Sequence, residues 1–352
     1  MLRENGYHIG HVGKWGMWDF PSASYDFARQ YEGRHWYEDR KRPGGRVHVT
    51  KRNEEDAIEF LTSRPRDRPF CLTVAFFATH AEDNAVEQYK PMPESMHLYV
   101  NDTVPLAPSA TQEAWEAMPY FFNERNEGRV RWRKRFDEPE KFQTMMKNYF
   151  RMATEVDSAC NIIVEELKKQ VILNSTLVIF TTDNGYFHSE HMLADKFYPH
   201  QESIRVPLII RDPRMSQGRI GTTNSDFTLS IDLAPTILSA AKIIPPLKMQ
   251  GRDISVLYRD DLANHMISNP WRTDFYYELP QLNKVDINVI CPSEALVRKD
   301  FKLINWTHHM QEQLFDLQKD PWEIIDVINN TQHQLVLIQM RERLRELREF
   351  VK

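Results

Sequence analysis

The chain has 352 residues, of which 41% are hydrophobic and 27% are charged, and its formal net charge is −5 at pH 7. This composition is typical of a globular enzyme, and the length is sufficient for one large domain and a smaller one. The charge gives no reason to expect nucleic acid or an anionic membrane as a partner, and no run approaches the ~18 apolar residues that a membrane span needs. Three cysteines, Cys71, Cys160 and Cys291, are too few and too scattered for a disulfide framework or a zinc site.

The first part of the chain predicts a short strand, a helix and a buried strand, with long irregular segments around them. Apolar periodicity indicates a short strand over residues 9–12, a helix over 53–64 and a strong buried strand over 69–80. Residues 20–50 and 81–138 show no clear period, and we expect loops that run over the surface there.

The rest of the chain alternates helices and strands before its character changes. The predicted elements are an amphipathic helix over 147–169, buried strands over 177–182 and 204–213, and a helix over 230–243. Short strands within 294–306 and 312–321 and a helix over 334–347 follow. The predicted fold class is α/β, a mostly parallel sheet flanked by helices, with a smaller C-terminal α+β module. We place the α/β core in residues 1–245 and the C-terminal subdomain in 246–352.

Polar residues follow several of the predicted strands. Lys14 comes after the first, His80 ends the second, and the pair Asp183-Asn184 ends the third, with Lys196 shortly behind. In open α/β sheets, ligands bind beyond the carboxyl ends of parallel strands, where such residues would meet. Carboxylate and amide oxygens suit Ca²⁺ or Mg²⁺, and an ammonium group suits an anion. Each residue alone also fits a plainer role, as a turn residue, a solvated surface lysine or a loop histidine.

Four segments of the chain together resemble the sulfatase family of the alkaline-phosphatase-like superfamily. They are "ENGYHIGHVGKWG" from residue 4, "TTDNGYFHSEHMLADKFYPHQESIRVPLIIRDP" from 181, "SIDLAPTILSAAKIIPPLKMQGRDI" from 230 and "QLFDLQKDPWEIIDVIN" from 313. They are similar to the family's segments in the family's order, and they reach from one end of the chain to the other.

The resemblance implies a role for each of the polar residues. Asp183 and Asn184 match two ligands of one divalent cation, normally Ca²⁺. Lys196 matches a lysine that binds the sulfate and helps the leaving oxygen depart. Lys14 matches a lysine that contacts sulfate and nucleophile, and His80 matches a sulfate ligand or general acid. The residues themselves agree with this, because a cation and two lysines around one point fit a tetrahedral oxyanion.

The sequence departs from the family pattern in two respects. Gly16 stands where the family has a histidine that holds or deprotonates the nucleophile. That role is lost here unless His11 or a rearranged loop supplies it. The "C-x-P-S-x-R" motif, whose Cys or Ser becomes formylglycine, does not occur, and neither does the Asp-Asp pair of the first strand. We expect this chain to begin after that part of the family sequence. The segment "CPSEALVR" at Cys291 lacks the family spacing and is rejected as the nucleophile motif.

The resulting hypothesis is a calcium-dependent sulfuric ester hydrolase that acts on a small-molecule or carbohydrate sulfate ester. One alternative is a phosphodiesterase or phosphonate hydrolase of the same superfamily, and another is a non-catalytic binding protein derived from a sulfatase. The resemblance implies a secreted, periplasmic or lysosomal location, although the N-terminus shows no signal peptide. Four Asn-x-Ser/Thr sequons begin at Asn101, Asn174, Asn305 and Asn329, and they matter only in a protein secreted from a eukaryote.

Overall fold

The computed structural model describes residues 1–262 and 267–351, which form two compact units. The first comprises Met1–Val104, Phe142–Leu177 and Leu238–Pro245, and the second comprises Pro105–Lys141, Val178–Ile237 and Pro246–Lys352. The helices are α1 (Val49–Ser63), α2 (Gln112–Glu116), α3 (Glu127–Arg135), α4 (Pro139–Lys169), α5 (Gln201–Ile204), α6 (Leu233–Ala240) and α7 (Gln334–Val351). None of the described helices is long and apolar enough to cross a membrane.

The strands belong to five separate sheets in the described part of the chain. In chain order they are β1 (His8–Gly13), β2 (Phe27–Gln30), β3 (Trp36–Glu38), β4 (Arg46–His48), β5 (Phe70–Ala75), β6 (Val178–Thr181), β7 (Phe187–His188), β8 (Ala194–Asp195), β9 (Leu208–Arg211), β10 (Asp274–Leu279), β11 (Ser293–Arg298), β12 (Phe301–Trp306) and β13 (Gln311–Asp316).

A three-stranded parallel sheet with the order β2-β1-β5 organises the first unit. Helix α1 lies in the connection from β2 to β5, and its fully buried Phe60 stacks on His8 and meets Phe70 edge to face. The long helix α4 buries Met152 and Val156 against the chain that follows β5. The predicted helices and strands of this unit are therefore found, and the α/β class is confirmed, but β5, which was predicted as a buried strand, is only half buried.

The expectation of a long loop region over residues 20–50 was wrong, because this segment holds β2 and the antiparallel pair β3–β4. Strand β2 shows no alternation of apolar and polar residues because it is short and lies at an edge, where both of its faces are only half buried. Residues 81–138 likewise contain α2 and α3, and their apolar residues Tyr89, Phe121 and Trp132 are buried.

Strands β6 and β9 pair with each other, and they run antiparallel. Both were predicted as strands, but the expectation that they run parallel in one sheet with β1 and β5 was wrong, because they form a separate two-stranded antiparallel sheet. A parallel connection needs a crossover, usually a full helix. The connection from β6 to β9 contains the β7–β8 hairpin and the four-residue α5 in place of a full helix.

The C-terminal module is a four-stranded antiparallel sheet, β10-β11-β12-β13, with α7 packed on one face. Leu337, Met340 and Leu344 of α7 lie three or four residues apart and pack against buried leucines of the sheet. The other face belongs to a second core that includes Trp306, Phe315, Phe187 and the aromatic residues before α3. Strand β10 was missed by the sequence analysis, and the division after residue 245 stays a prediction.

Candidate active site

Lys14 follows the carboxyl end of β1 and is anchored to the neighbouring strand. Its backbone N–H donates to the Ala75 carbonyl at 2.7 Å, at the point where β5 ends. This approach requires the glycine before it. Gly13 has φ +106°, and a Cβ added there would lie 2.0 Å from the Ala75 oxygen. The close contact between the ends of β1 and β5 therefore fixes the position of the Lys14 backbone.

His80 lies five residues beyond the end of β5, in the same unit as Lys14. The buried His35 binds the backbone of His80, since its Nε2 donates to the His80 carbonyl at 2.9 Å. Burial lowers the pKa of His35. Glu82 accepts from the His35 backbone N–H at 2.6 Å and from Lys90 at 2.5 Å, so partly buried polar groups hold this loop together. His35 and Glu82 were not predicted, because nothing in their local sequence marks them.

The loop after Lys14 is built for glycine at position 16. Gly16 has φ +72°, a region that side chains other than glycine rarely adopt. His11 is 3% exposed and is packed among Trp15, Phe20 and Tyr25, and burial lowers its pKa. An imidazole enclosed in this way suits packing in the core better than the role of the histidine expected at position 16.

Asp183 and Asn184 lie in the second unit, directly after β6. Asp183 is exposed, and its Oδ1 accepts from the Asn184 backbone N–H at 3.0 Å. The Asn184 amide donates to the Gly185 carbonyl at 2.6 Å. Gly185 in turn donates its N–H to Ser203 at 2.8 Å, and a Cβ added to it would lie 2.1 Å from the Glu202 carbonyl oxygen. The chain that follows β6 therefore packs closely against the backbone of α5.

The donor chemistry of this pair fits a hard cation, but the number of donors does not. Ca²⁺ takes six to eight oxygen ligands. Among the described residues, no group of three or more His, Cys, Asp or Glu side chains is arranged to hold a metal ion. Asp183 and Asn184 alone therefore do not make up the ligand set of such a cation.

Lys196 follows the β7–β8 hairpin and lies between two residues in left-handed conformations. Asp195 has φ +84° and Phe197 has φ +91°. The hairpin is part of the core, since Phe187 and Tyr198 are fully buried, whereas the Lys196 side chain remains 24% exposed. Backbone strain of this kind persists only where the surroundings enforce it, and it is common at functional sites.

The histidines near Lys196 are part of the interior. His191 and His200 are 1% and 0% exposed, and their rings lie 5.0 Å apart. Burial lowers the pKa of each to about 3, so both are neutral near neutral pH. Glu202, close to them in sequence, has its pKa raised to about 8 by burial. His191 and His200 therefore add no positive charge to this segment, although the sequence makes it look basic.

The basic helix α3, which was not predicted, lies against the hairpin that carries Lys196. Asn126 caps α3 with its Oδ1 and donates through its amide to the Tyr198 hydroxyl at 2.7 Å. Trp132 donates to Ser189 at 2.9 Å. The signal for α3 in the sequence is faint, because five of its nine residues are Arg or Lys and no apolar stripe marks it.

The structure thus places Lys14 and His80 after neighbouring parallel strands of one unit, and Asp183, Asn184 and Lys196 in the other. The architecture is that of the alkaline-phosphatase-like hydrolases, a class whose members include sulfatases and phosphonate hydrolases. The Sulfatase family profile matches residues 1–243, and the profile "N-sulphoglucosamine sulphohydrolase, C-terminal" matches residues 189–350. The chain belongs to the sulfatase family.

Similar proteins agree with this assignment. The chain is 23% identical to an N-acetylglucosamine-6-O-sulfatase of Bacteroides thetaiotaomicron, over 97% of this chain and 71% of that protein. The chain spans 19% and 55% of two further curated relatives. A structure in complex with its substrate D-glucosamine-2-N,6-O-disulfate superposes with a TM-score of 0.76 at 19% identity, covering 99% and 80% of the two chains. A phosphonate monoester hydrolase from Silicibacter pomeroyi gives 0.77 at 19% identity, covering 100% and 79%.

Proposed function

We propose that this protein hydrolyses the sulfate ester of a carbohydrate. The proposal rests on membership of the sulfatase family together with the position of Lys14 and His80 beyond adjacent parallel strand ends. The relative from Bacteroides thetaiotaomicron is a sulfatase of an amino sugar, and the substrate of the superposed structure is a glucosamine disulfate. Sulfate esters of amino sugars are therefore the first substrates to test. A secreted, periplasmic or lysosomal location is proposed on the same family grounds.

The proposed roles follow from the chemistry of each side chain. Lys14 and Lys196 bind nonbridging sulfate oxygens, because an ammonium group offers three donors and a compact positive charge. His80 or Lys196 donates the proton that the leaving alcohol oxygen needs. Asp183 and Asn184 supply oxygen ligands to a divalent cation, which would neutralise sulfate charge when bound. None of the three cysteines stands in the family nucleophile motif, so we assign no nucleophile to this chain.

The test separates binding from turnover. Binding of inorganic sulfate is measured by calorimetry, and sulfate release from glucosamine 6-sulfate and from an aryl sulfate is measured with Ca²⁺ present. Lys14→Ala and Lys196→Ala should each weaken both signals, about tenfold or more in affinity for the loss of one charge-assisted contact. The matched control is Lys168→Ala, which removes an exposed lysine on α4 that pairs with Glu165.

Each rival function predicts a different result. Release of phosphonate or phosphate from the corresponding esters, faster than release of sulfate, would support a phosphonate hydrolase or phosphodiesterase. Sulfate binding that depends on Lys196, with no turnover of any ester, would support a non-catalytic binding protein. Absence of both binding and turnover in a folded protein would refute the proposed function.

A further inference from the structure

The turn that carries His80 packs around a buried imidazole of the first unit. The side chain of His35 is fully buried. Its ring centroid lies 5.3 Å from that of Phe77, and the Phe77 ring in turn lies 5.4 Å from the ring of His80. At the other end of the turn, Glu82 Oε1 lies 3.2 Å from His35 Nδ1. Residues before and after His80 therefore both contact His35.

A short chain of hydrogen bonds leads from His35 to the imidazole of His80. His35 Nε2 donates to the His80 carbonyl oxygen at 2.9 Å, and that oxygen belongs to the peptide group between His80 and Ala81. The next carbonyl oxygen, that of Ala81, lies 2.7 Å from His80 Nδ1. Because a carbonyl oxygen only accepts, the proton of this bond is on Nδ1. The backbone that His35 binds is thus the backbone that orients the His80 ring.

The His35 ring is itself held on several sides. Glu82 accepts from the His35 backbone N–H at 2.6 Å and from Lys90 at 2.5 Å. Burial raises the pKa of Glu82, but these two hydrogen bonds outweigh it and keep that pKa below its usual range, so Glu82 is a carboxylate at neutral pH. The ring of the buried His48 stacks on that of His35, with the centroids 5.9 Å apart. His35 cannot turn away from the His80 carbonyl without losing these contacts.

The position of the proton on His80 determines what its ring can do. A neutral imidazole carries one proton, and the hydrogen bond at one nitrogen decides which nitrogen holds it. Since Nδ1 donates to the Ala81 carbonyl, neutral His80 has its proton on Nδ1. Any proton that His80 exchanges with a bound ester then passes through Nε2. If the Ala81 carbonyl turned away, the proton could move to Nε2 and the ring could rotate.

We infer that His35 is a positioning residue, which acts through the peptide group between His80 and Ala81 to keep the neutral imidazole of His80 in its Nδ1-protonated form. The part that this imidazole plays in cleaving a sulfate ester rests on the proposed function. The role of His35 does not require turnover, because it concerns the position of one proton on His80.

The experiment observes the ring nitrogens of His80 by NMR, in the full chain with isotope-labelled histidine, at about pH 9, above the range in which histidine normally titrates. Long-range proton–nitrogen correlation spectra distinguish the two neutral forms, and the His80 signals are those that disappear in His80→Gln. We expect the Nδ1-protonated form in the unsubstituted protein. In His35→Leu, the ratio of the Nδ1-protonated to the Nε2-protonated form should fall about fivefold, the value of one neutral hydrogen bond.

Two further variants separate this role from packing. His35→Gln should keep the Nδ1-protonated form, because the glutamine amide can donate to the same carbonyl. His48→Leu is the matched control, since His48 is 1% exposed and its Nε2 also donates to a backbone carbonyl, at 3.2 Å, but that of Lys90. It should leave the ratio at His80 unchanged. If His35→Leu does not fold, His35→Phe takes its place, because it retains an aromatic ring against Phe77 and lacks the donor.

Several outcomes would overturn the inference. They are an Nε2-protonated His80 in the unsubstituted protein, an unchanged ratio in the folded leucine or phenylalanine variant, a fall in His35→Gln, and an equal fall in His48→Leu. Addition of inorganic sulfate tests the proposed function separately, because sulfate bound at the candidate site should shift the His80 signals. Unshifted signals together with no ester hydrolysis would refute the proposed function and leave the role of His35 standing.

Discussion

Lys302 and Glu323 form an ion pair in the interior of the second unit. Both side chains are fully buried, and Lys302 Nζ lies 2.5 Å from Glu323 Oε1. Lys302 also donates to the Pro199 carbonyl at 2.6 Å, and Glu323 accepts from the Gln201 backbone N–H at 2.7 Å. The pair therefore fastens the segment that follows Lys196 to the C-terminal sheet, and its loss should affect both stability and the candidate site.

The magnitude of the effect follows from desolvation. Removing one member of a buried ion pair leaves the other charge without a partner and costs about 3–5 kcal/mol, whereas removing both is much less costly. Lys302→Met and Glu323→Gln should each lower the free energy of unfolding of the second unit by that amount. In the double variant the amide that replaces the Glu323 carboxylate still accepts from the Gln201 backbone N–H, so we expect a loss of only about 1–2 kcal/mol. The double variant should thus be more stable than either single variant.

Urea denaturation followed by circular dichroism gives the four free energies of this cycle. Lys319→Met provides the control, because Lys319 pairs with Asp316 but is 77% exposed, and its loss should cost less than about 1 kcal/mol. Additive losses in the double variant would contradict the reasoning, since they would mean that neither charge depends on the other. A loss below about 1 kcal/mol in either single variant would contradict the burial argument itself.

Three further predictions concern backbone approach and pH. Gly13→Ala should lower the free energy of unfolding by more than about 2 kcal/mol in urea denaturation, because at φ +106° its Cβ would lie 2.0 Å from the Ala75 carbonyl oxygen. The control Gly33→Ala, at φ +87° with nothing within 4 Å, should lower it by only about 1–2 kcal/mol. Equal losses in the two variants would refute the argument. Gly185→Ala should likewise destabilise the second unit and weaken sulfate binding, whereas Gly218→Ala, with open space around it, should change neither; full retention of both in Gly185→Ala would be contrary evidence. His191 and His200 are neutral when folded, with pKa values lowered to about 3, but protonate near pH 6.5 when unfolded, so stability should fall as the pH drops from about 6.5 toward 3. These two groups should contribute a slope of about 2.7 kcal/mol per pH unit in that range, and His200→Gln should lower the measured slope by about 1.4 kcal/mol per pH unit. A slope unchanged in His200→Gln would exclude this histidine as a cause.

The sequence predicts those parts of the fold that carry their own local pattern. Helix α4 and strands β1, β5 and β6 have continuous apolar runs or a clear helical period, and all were found where expected. Strand direction is a different matter, because it depends on what connects two strands. The run at β9 looks the same in sequence whether the strand is parallel or antiparallel, and only the connection through β7, β8 and α5 decides it.

The candidate site shows the same contrast between local and tertiary causes. Lys14 follows Gly13, whose positive φ could be suspected from the glycine alone. Lys196 lies between Asp195 and Phe197, which adopt positive φ although neither is a glycine. Both side chains contact Arg131 of α3, which forms an ion pair with Asp195 and lies 5.9 Å from the centre of the Phe197 ring, and α3 has no apolar period of its own. A sequence motif can therefore identify Lys196, but the α3 residues that contact its two sequence neighbours are found only in the folded structure.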